Sequence, residues 1–169
     1  MILELPSNVS VEVQGMRIAI KTPKGEATVK FNTRFTSVKK NEKGLEILPA
    51  RKENRASKAA MNSFKKHIQN AIQGLETPFQ KKMRIIFAHF PISIEVKGNE
   101  ILVKNFLGEK VPRVAYIQGN TKVEIRGQEV IVSGNSKDDV GQTAANIRKS
   151  GRIRRKDERV FQDGIYYDE

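Results

Sequence analysis

Val9, Val11 and Val13 alternate with polar neighbours, Gly15 interrupts the run, and Ile18 and Ile20 resume it. A period of two puts alternate side chains on one face, so the segment predicts a half-buried antiparallel hairpin. Pro23-Lys24-Gly25 predicts a second turn. Further along, Ile92, Ile94 and Val96, a turn at Gly98-Asn99, and then Ile101 and Val103 repeat the pattern. Between about Asn54 and Leu75 the period changes. Ala56, Ala60, Phe64, Ile68, Ala71, Ile72 and Leu75 recur at helical spacing, while Lys58, Lys65 and Lys66 fall elsewhere on the wheel. That predicts a basic helix with one sheet-packing face. A second helix is expected to open at Ser136, whose hydroxyl can cap freed amides with Asp139 three residues on, and to run through Val140, Ala144 and Ile147. Gly141 weakens it slightly. After Thr77-Pro78, the apolar run from Met83 to Ala88 predicts a strand that closes a first domain and leads into a second.

The two hairpins align without a gap. Shifted by 83 residues, Val11–Glu26 meets Ile94–Glu109 with seven of sixteen pairs identical, including Gly15/Gly98, Lys21/Lys104 and Gly25/Gly108. Alternation alone forces apolar matches between any two hairpins, but it does not make glycines and charges coincide. The same shift carries Lys43–Leu48 onto Arg126–Ile131 and one helix onto the other. The expectation is an α+β protein of two tandem homologous small domains from internal duplication, each an antiparallel sheet packed on one helix. The first domain is placed at residues 1–82, and the second, with a basic C-terminal arm, at 83–169.

Charge then narrows the partners. Among 169 residues, 31 Lys and Arg face 19 Asp and Glu, a formal net charge of +12. Such an excess favours polyanions, nucleic acid before an anionic membrane. A membrane-surface protein would need large apolar residues on an amphipathic helix, and the first helix offers mostly alanine. No apolar run approaches the roughly 20 residues of a membrane span. Residues 1–6 lack the basic start and apolar stretch of a signal peptide, so the expected location is the cytoplasm. With no Cys, disulfides, thiolate catalysis and cysteine-ligated zinc are excluded.

Within the chain, residues 1–88 hold 17 basic and 7 acidic side chains, against 14 and 12 in residues 89–169. Bulk charge hides local patches, however. From Arg148 to Arg159 lie seven cations, Arg148, Lys149, Arg152, Arg154, Arg155, Lys156 and Arg159, against Asp157 and Glu158. The helix is expected to end at Gly151, releasing an extended arm that can follow an RNA surface, with a turn at Gly164 holding Tyr166 and Tyr167. A solvated, disordered tail is the competing reading. Ile153, Val160, Phe161 and Ile165 argue against it as apolar anchors. Double-stranded RNA is recognised through phosphates, ribose hydroxyls and backbone shape, and arginine's planar fork suits phosphate oxygens.

A second candidate surface is the loop from Asn105 to Arg113, where Lys104, Lys110 and Arg113 bracket Gly108. An ordinary hairpin turn with solvent-facing charge reads equally well there. At the start of the first helix, Arg51, Lys52, Arg55 and Lys58 oppose the helix dipole and form a weaker candidate contact. Solubility alone would also explain them.

A search for catalysis returns little. His67 and His89 lack a partner at metal-ligand spacing and read as packing residues. Asp138/Asp139 fit a helix start, and Asp157/Glu158 offset arginines. No phosphate loop, dinucleotide fingerprint or nucleophile elbow is present, so neither an enzyme nor a cofactor, a metal or a small-molecule substrate is expected. A metal-dependent nuclease would need clustered acidic ligands.

The stretches Asn105–Lys110, Val132–Asn135 and Lys156–Tyr166 resemble the L-six family of large-subunit ribosomal proteins in its archaeal and eukaryotic form. Thr22–Glu26 is similar to that family's first hairpin turn, with Thr22 where Gly is usual. The resemblance covers about residues 3 to 167, and its most specific element is Arg159–Tyr166. A basic residue commonly follows that motif, whereas here Asp168 and Glu169 follow. The resemblance implies a two-domain structural protein bound to large-subunit ribosomal RNA near the stalk base and the translation-factor region, supporting assembly and translation. It also implies neighbouring large-subunit proteins as partners, translation factors nearby, and a principal RNA contact in the second domain.

Overall fold

A computed structural model describes residues 2–4, 6, 9–41, 44–50, 52, 54–154, 156–157 and 159–168. The chain divides into two compact units, residues 1–77 and 78–169. It is α+β, with antiparallel sheets and two helices.

In the first unit the alternating segment forms β2 (Ser10–Gln14), β3 (Arg17–Thr22) and β4 (Gly25–Lys30), a three-stranded meander. Val11 faces Ile20 and Val13 faces Ile18 across the β2–β3 pair. Gly15 takes φ 58° in the tight turn between these strands, and Gly98 takes 61° in a tight turn of the second unit. Only glycine adopts such a backbone without a Cβ penalty. A second sheet has the order β1 (Ile2–Glu4), β6 (Gly44–Pro49), β5 (Thr36–Asn41).

Helix α1 (Arg55–Glu76) closes this unit. Its N-cap is Asn54, whose side chain accepts from Ser57 N at 2.7 Å while Ser57 Oγ accepts from Asn54 N at 2.8 Å. This reciprocal cap satisfies two groups the helix itself cannot. At the far end, Lys24 Nζ donates to the Glu76 carbonyl at 3.2 Å. The buried stripe is Ser57, Met61, Phe64, Ile68 and Leu75. Expected Ala56 is exposed and Ala60 only half-buried, because the stripe runs one position further on. Phe64 meets Phe31 at 5.1 Å between ring centroids. Leu3, Val11, Ile18, Ile20, Leu45 and Ile47 complete the core.

The second unit begins five residues earlier than expected. The run around Met83 is part of β7 (Phe79–Ile86), which pairs with β12 (Glu129–Gly134) on one edge and β13 (Gly164–Tyr167) on the other. It therefore does not close the first domain, and the division falls between Thr77 and Pro78 rather than between 82 and 83. With β11 (Lys122–Arg126) the sheet order is β11-β12-β7-β13. A three-stranded sheet joins β8 (Ser93–Lys97), β9 (Glu100–Lys104) and β10 (Arg113–Tyr116). Helix α2 (Lys137–Ser150) buries Val140, Thr143, Ala144 and Ile147. They join Met83, Ile85, Ile101, Val103, Val130, Val132 and Ile165 in a core that shares no residue with the first. By area bookkeeping each fully buried Ile or Val contributes roughly 1.5–3 kcal/mol.

Candidate nucleic-acid interface

The start of α2 is fixed by Ser136, whose Oγ accepts from Asp139 N at 3.3 Å. Asp138 and Asp139 occupy the first turn and Arg148 and Lys149 the last, the arrangement the helix dipole favours. Gly151 then caps the helix, its amide donating to the Ile147 carbonyl at 3.2 Å. A Cβ there would lie 3.1 Å from Ile165, so a side chain at this position would crowd β13.

The arm is stitched onto the second unit. Ile153 and Ile165 are buried and Phe161 is partly so, as expected of anchors, whereas Val160 is exposed. Asp163 is buried and accepts from the Ala88 amide at 3.0 Å through Oδ1. Gly164 does not turn the chain, as the sequence suggested. It opens β13, whose Tyr166 lies opposite Arg84 and Tyr167 opposite Met83. Arg148 and Lys149 at the end of α2, Arg152 just before the first anchor, and Arg154, Lys156 and Arg159 between the anchors are all exposed. Arg148 lies 5.3 Å from the Tyr167 ring and Lys156 lies 4.4 Å from the Phe161 ring, so both are pre-oriented without being neutralised. Asp157 accepts from the Arg159 amide at 2.9 Å. Arg155 and Glu158 lie outside the described residues. Arg148, Lys149, Arg152 and Tyr166 come together around one cavity.

The loop from Asn105 to Arg113 behaves differently. Asn105 and Leu107 both take positive φ, 58° and 49°, and Phe106 between them is buried. Arg113 stacks 4.1 Å from the Phe106 ring centroid. Its guanidinium forks onto the Glu109 carboxylate at 2.7 and 2.6 Å, and Nη1 donates to the carbonyls of Ser150 at 2.9 Å and Arg152 at 2.7 Å. Hydrogen bonding from Arg113 holds the Glu109 carboxyl below its ordinary range against a smaller opposing effect of burial; the charges of Arg113 and Arg154 lower it further. Arg113 was expected to face RNA, but its side chain is only 20% exposed and four of its five N–H donors bond the protein itself. It is a clamp joining the loop, the end of α2 and the arm. Lys104 pairs with Glu95 on the surface, drawing that carboxyl below its usual range, and Lys110 is exposed.

At α1, Lys52, Arg55 and Lys58 are exposed, no acidic residue occupies the first turn, and Arg51 lies outside the described residues. The sequence reading missed the cations of β7. Lys81, Lys82 and Arg84 are exposed, and Arg84 pairs with Asp168 at 3.2 Å. The signal was the Lys81-Lys82-Met83-Arg84 run, overlooked because only its apolar half was read. Both histidines are exposed rather than packed in a core, with the His89 ring 6.1 Å from that of Phe161. Among the described residues no group of three or more His, Asp or Glu could hold a metal, and no helix is long and apolar enough to cross a membrane.

Comparison with known proteins bears on this surface. The family model described as ribosomal protein L6 matches residues 90–164. The chain is 42% identical over 165 residues to the large ribosomal subunit protein uL6 of Methanosarcina mazei, covering 97% of this chain and 93% of that protein. It is 41% identical to the protein of the same name in Methanococcus vannielii, covering 97% and 90%, and 39% identical to that of Desulfurococcus amylolyticus, again covering 97% and 90%. The family is one of structural ribosomal proteins and not of enzymes. With identity of this level across nearly the whole of both chains, the protein belongs to the ribosomal protein L6 family.

Proposed function

We propose that this chain is a structural constituent of the large ribosomal subunit in the cytoplasm. It binds large-subunit ribosomal RNA near the stalk base and the translation-factor region, beside neighbouring large-subunit proteins, and so supports assembly and translation. The second unit makes the principal contact through Arg148, Lys149, Arg152, Arg154, Arg155, Lys156, Arg159 and Tyr166. Lys104 and Lys110 add to it, and Arg51, Lys52, Arg55 and Lys58 of the first unit contribute weakly. The observation that carries this reading is the arm itself: its described cations are exposed on a backbone fastened by Ile153, Asp163 and Ile165. A fastened arm presents charge without the ordering entropy that a free tail loses on binding. We also read the two units as copies of one ancestral domain. In support, adding 83 to the bounds of β2 (Ser10–Gln14) gives those of β8 (Ser93–Lys97).

The test is salt dependence. Affinity for deproteinised archaeal large-subunit RNA falls as salt rises, with a log-log slope of about 0.7–0.9 per neutralised phosphate. Replacing Arg152 and Arg154 by Ala lowers that slope by about one unit per lost contact. An unchanged slope would move the interface elsewhere.

A further inference from the structure

Where α2 ends and the arm begins, a cavity of about 440 Å³ opens between the helix, the arm and β13. Its volume lies within the roughly 300–1,000 Å³ of small-ligand sites. Among the described residues three cations, Arg148, Lys149 and Arg152, line it and no acidic residue does. Two of them stand in the last helical turn, where they also offset the partial negative charge of the free carbonyls. Arg152 lies beyond the helix and has no such duty. The remaining lining is apolar or aromatic: Ala145, Gly151, Ile153, Ile165 and the two tyrosines. Tyr167 lies 4.3 Å from Lys81 Nζ and 5.3 Å from the Arg148 guanidinium carbon, while Tyr166 remains 40% exposed.

This combination selects its occupant. Cations without acids call for an anion, and an apolar lining with an available ring calls for a flat, weakly solvated face. A carboxylate side chain supplies only the first. The grooves and phosphate ridges of a duplex are too large to enter. One unpaired nucleotide supplies both, its phosphate against the guanidinium and ammonium groups and its base against Tyr166 and the apolar lining. Stacking of a base on an aromatic side chain is worth about 1–3 kcal/mol, and protein recognition of unpaired RNA commonly uses it. We infer that the cavity formed by the end of α2, the start of the arm and β13 receives a single extruded nucleotide of the bound ribosomal RNA. This rests on the RNA-binding reading above and adds a pocketed contact to what would otherwise be a purely electrostatic surface.

The experiment fills the cavity without touching its charge. Ala145 is only half-buried on the flank of α2, so Ala145→Leu preserves helix propensity while occupying the space. Wild type and A145L are titrated with deproteinised archaeal large-subunit RNA, and nucleotide reactivity is mapped chemically on each complex. A145L is expected to bind about tenfold more weakly with the salt slope lower by no more than about one phosphate contact, and one unpaired nucleotide protected by the wild type becomes reactive. Tyr166→Ala, at an exposed position, is expected to expose the same nucleotide and serves if A145L does not fold. Wild-type binding with both variants indistinguishable from it in affinity and protection would leave the RNA reading standing and overturn the pocket. Failure of the wild type to bind RNA would overturn both. If A145L protected RNA normally but lost binding to a Glu-rich peptide, the cavity would belong to an acidic peptide and the inference would fall.

Discussion

Arg113 grips Glu109 through a two-pronged contact and at the same time reaches the carbonyls of Ser150 and Arg152, so one side chain ties a loop, a helix end and the arm together. Hydrogen bonds involving a charged partner contribute about 1.5–3 kcal/mol each in favourable cases, and leaving buried acceptors unmet costs a comparable amount. Arg113→Ala is expected to destabilise the second unit by about 2 kcal/mol in urea unfolding. Arg113→Lys should recover less than half of that, because a point charge cannot reproduce the fork. Full recovery by lysine would reduce the contact to simple charge pairing.

The same contact sets a pH response. Glu109 is held below its ordinary carboxylate range by Arg113. A depressed folded-state pKa stabilises the protein above the unfolded value, about 4.3 for Glu, and that stability is lost as pH falls through the lower folded value. Glu109→Gln is therefore expected to flatten the acid limb of stability measured from pH 6 down to pH 2. Wild-type and variant curves that stay parallel across the range would rule this linkage out.

Hairpins and helices were legible in the sequence because alternation, helical spacing and a capping serine are local signals. The positions of Ile18, Ile68 and Ile147 in the two cores follow from them directly. What was not legible depends on partners far away in the chain. Met83 and its neighbours were read as a closing strand because nothing local reveals that β12 and β13, made much later, flank them. Arg113 was grouped with the other cations because a charge count does not tell which arginine finds internal acceptors. Gly164 was read as a turn residue. Its smallness serves instead to let the Tyr166 ring lie against the backbone.

That ring sets the next expectation. A Cβ at Gly164 would sit 2.8–3.0 Å from atoms of the Tyr166 ring, displacing it. Gly164→Ala is expected to cost about 1–3 kcal/mol through overpacking and to speed amide exchange along β13. Adding Tyr166→Ala should restore most of the loss. If the double variant is no better than the single, the cause lies in the backbone.

The caps give a milder pair of outcomes. Asn54→Ala and Ser136→Ala each remove an acceptor for an otherwise unpaired helix amide. Each is expected to lower the melting free energy by about 1 kcal/mol. Losses below a few tenths in both would show that water replaces the side chains at no cost.

Separating the units tests the boundary. Fragments 1–77 and 78–169 are each expected to melt cooperatively, since each holds its own core. A fragment starting at Met83 lacks the pairings of Phe79–Lys82 with Gly134–Ile131 and should melt well below the one starting at Pro78. Equal melting temperatures would return the boundary to residue 82.

The place of β7 between β12 and β13 also imposes a schedule on synthesis. This strand is the first of its sheet to emerge, and its last partner follows only when residues 164–167 are made. Both edges of the strand stay open until β12 is made, and at about 5–20 residues per second the edge that β13 covers stays open to a wrong neighbour on the order of 4–16 s. Lys81, Lys82 and Arg84 stand exposed on that strand, and like charges facing each other across two such strands oppose their pairing.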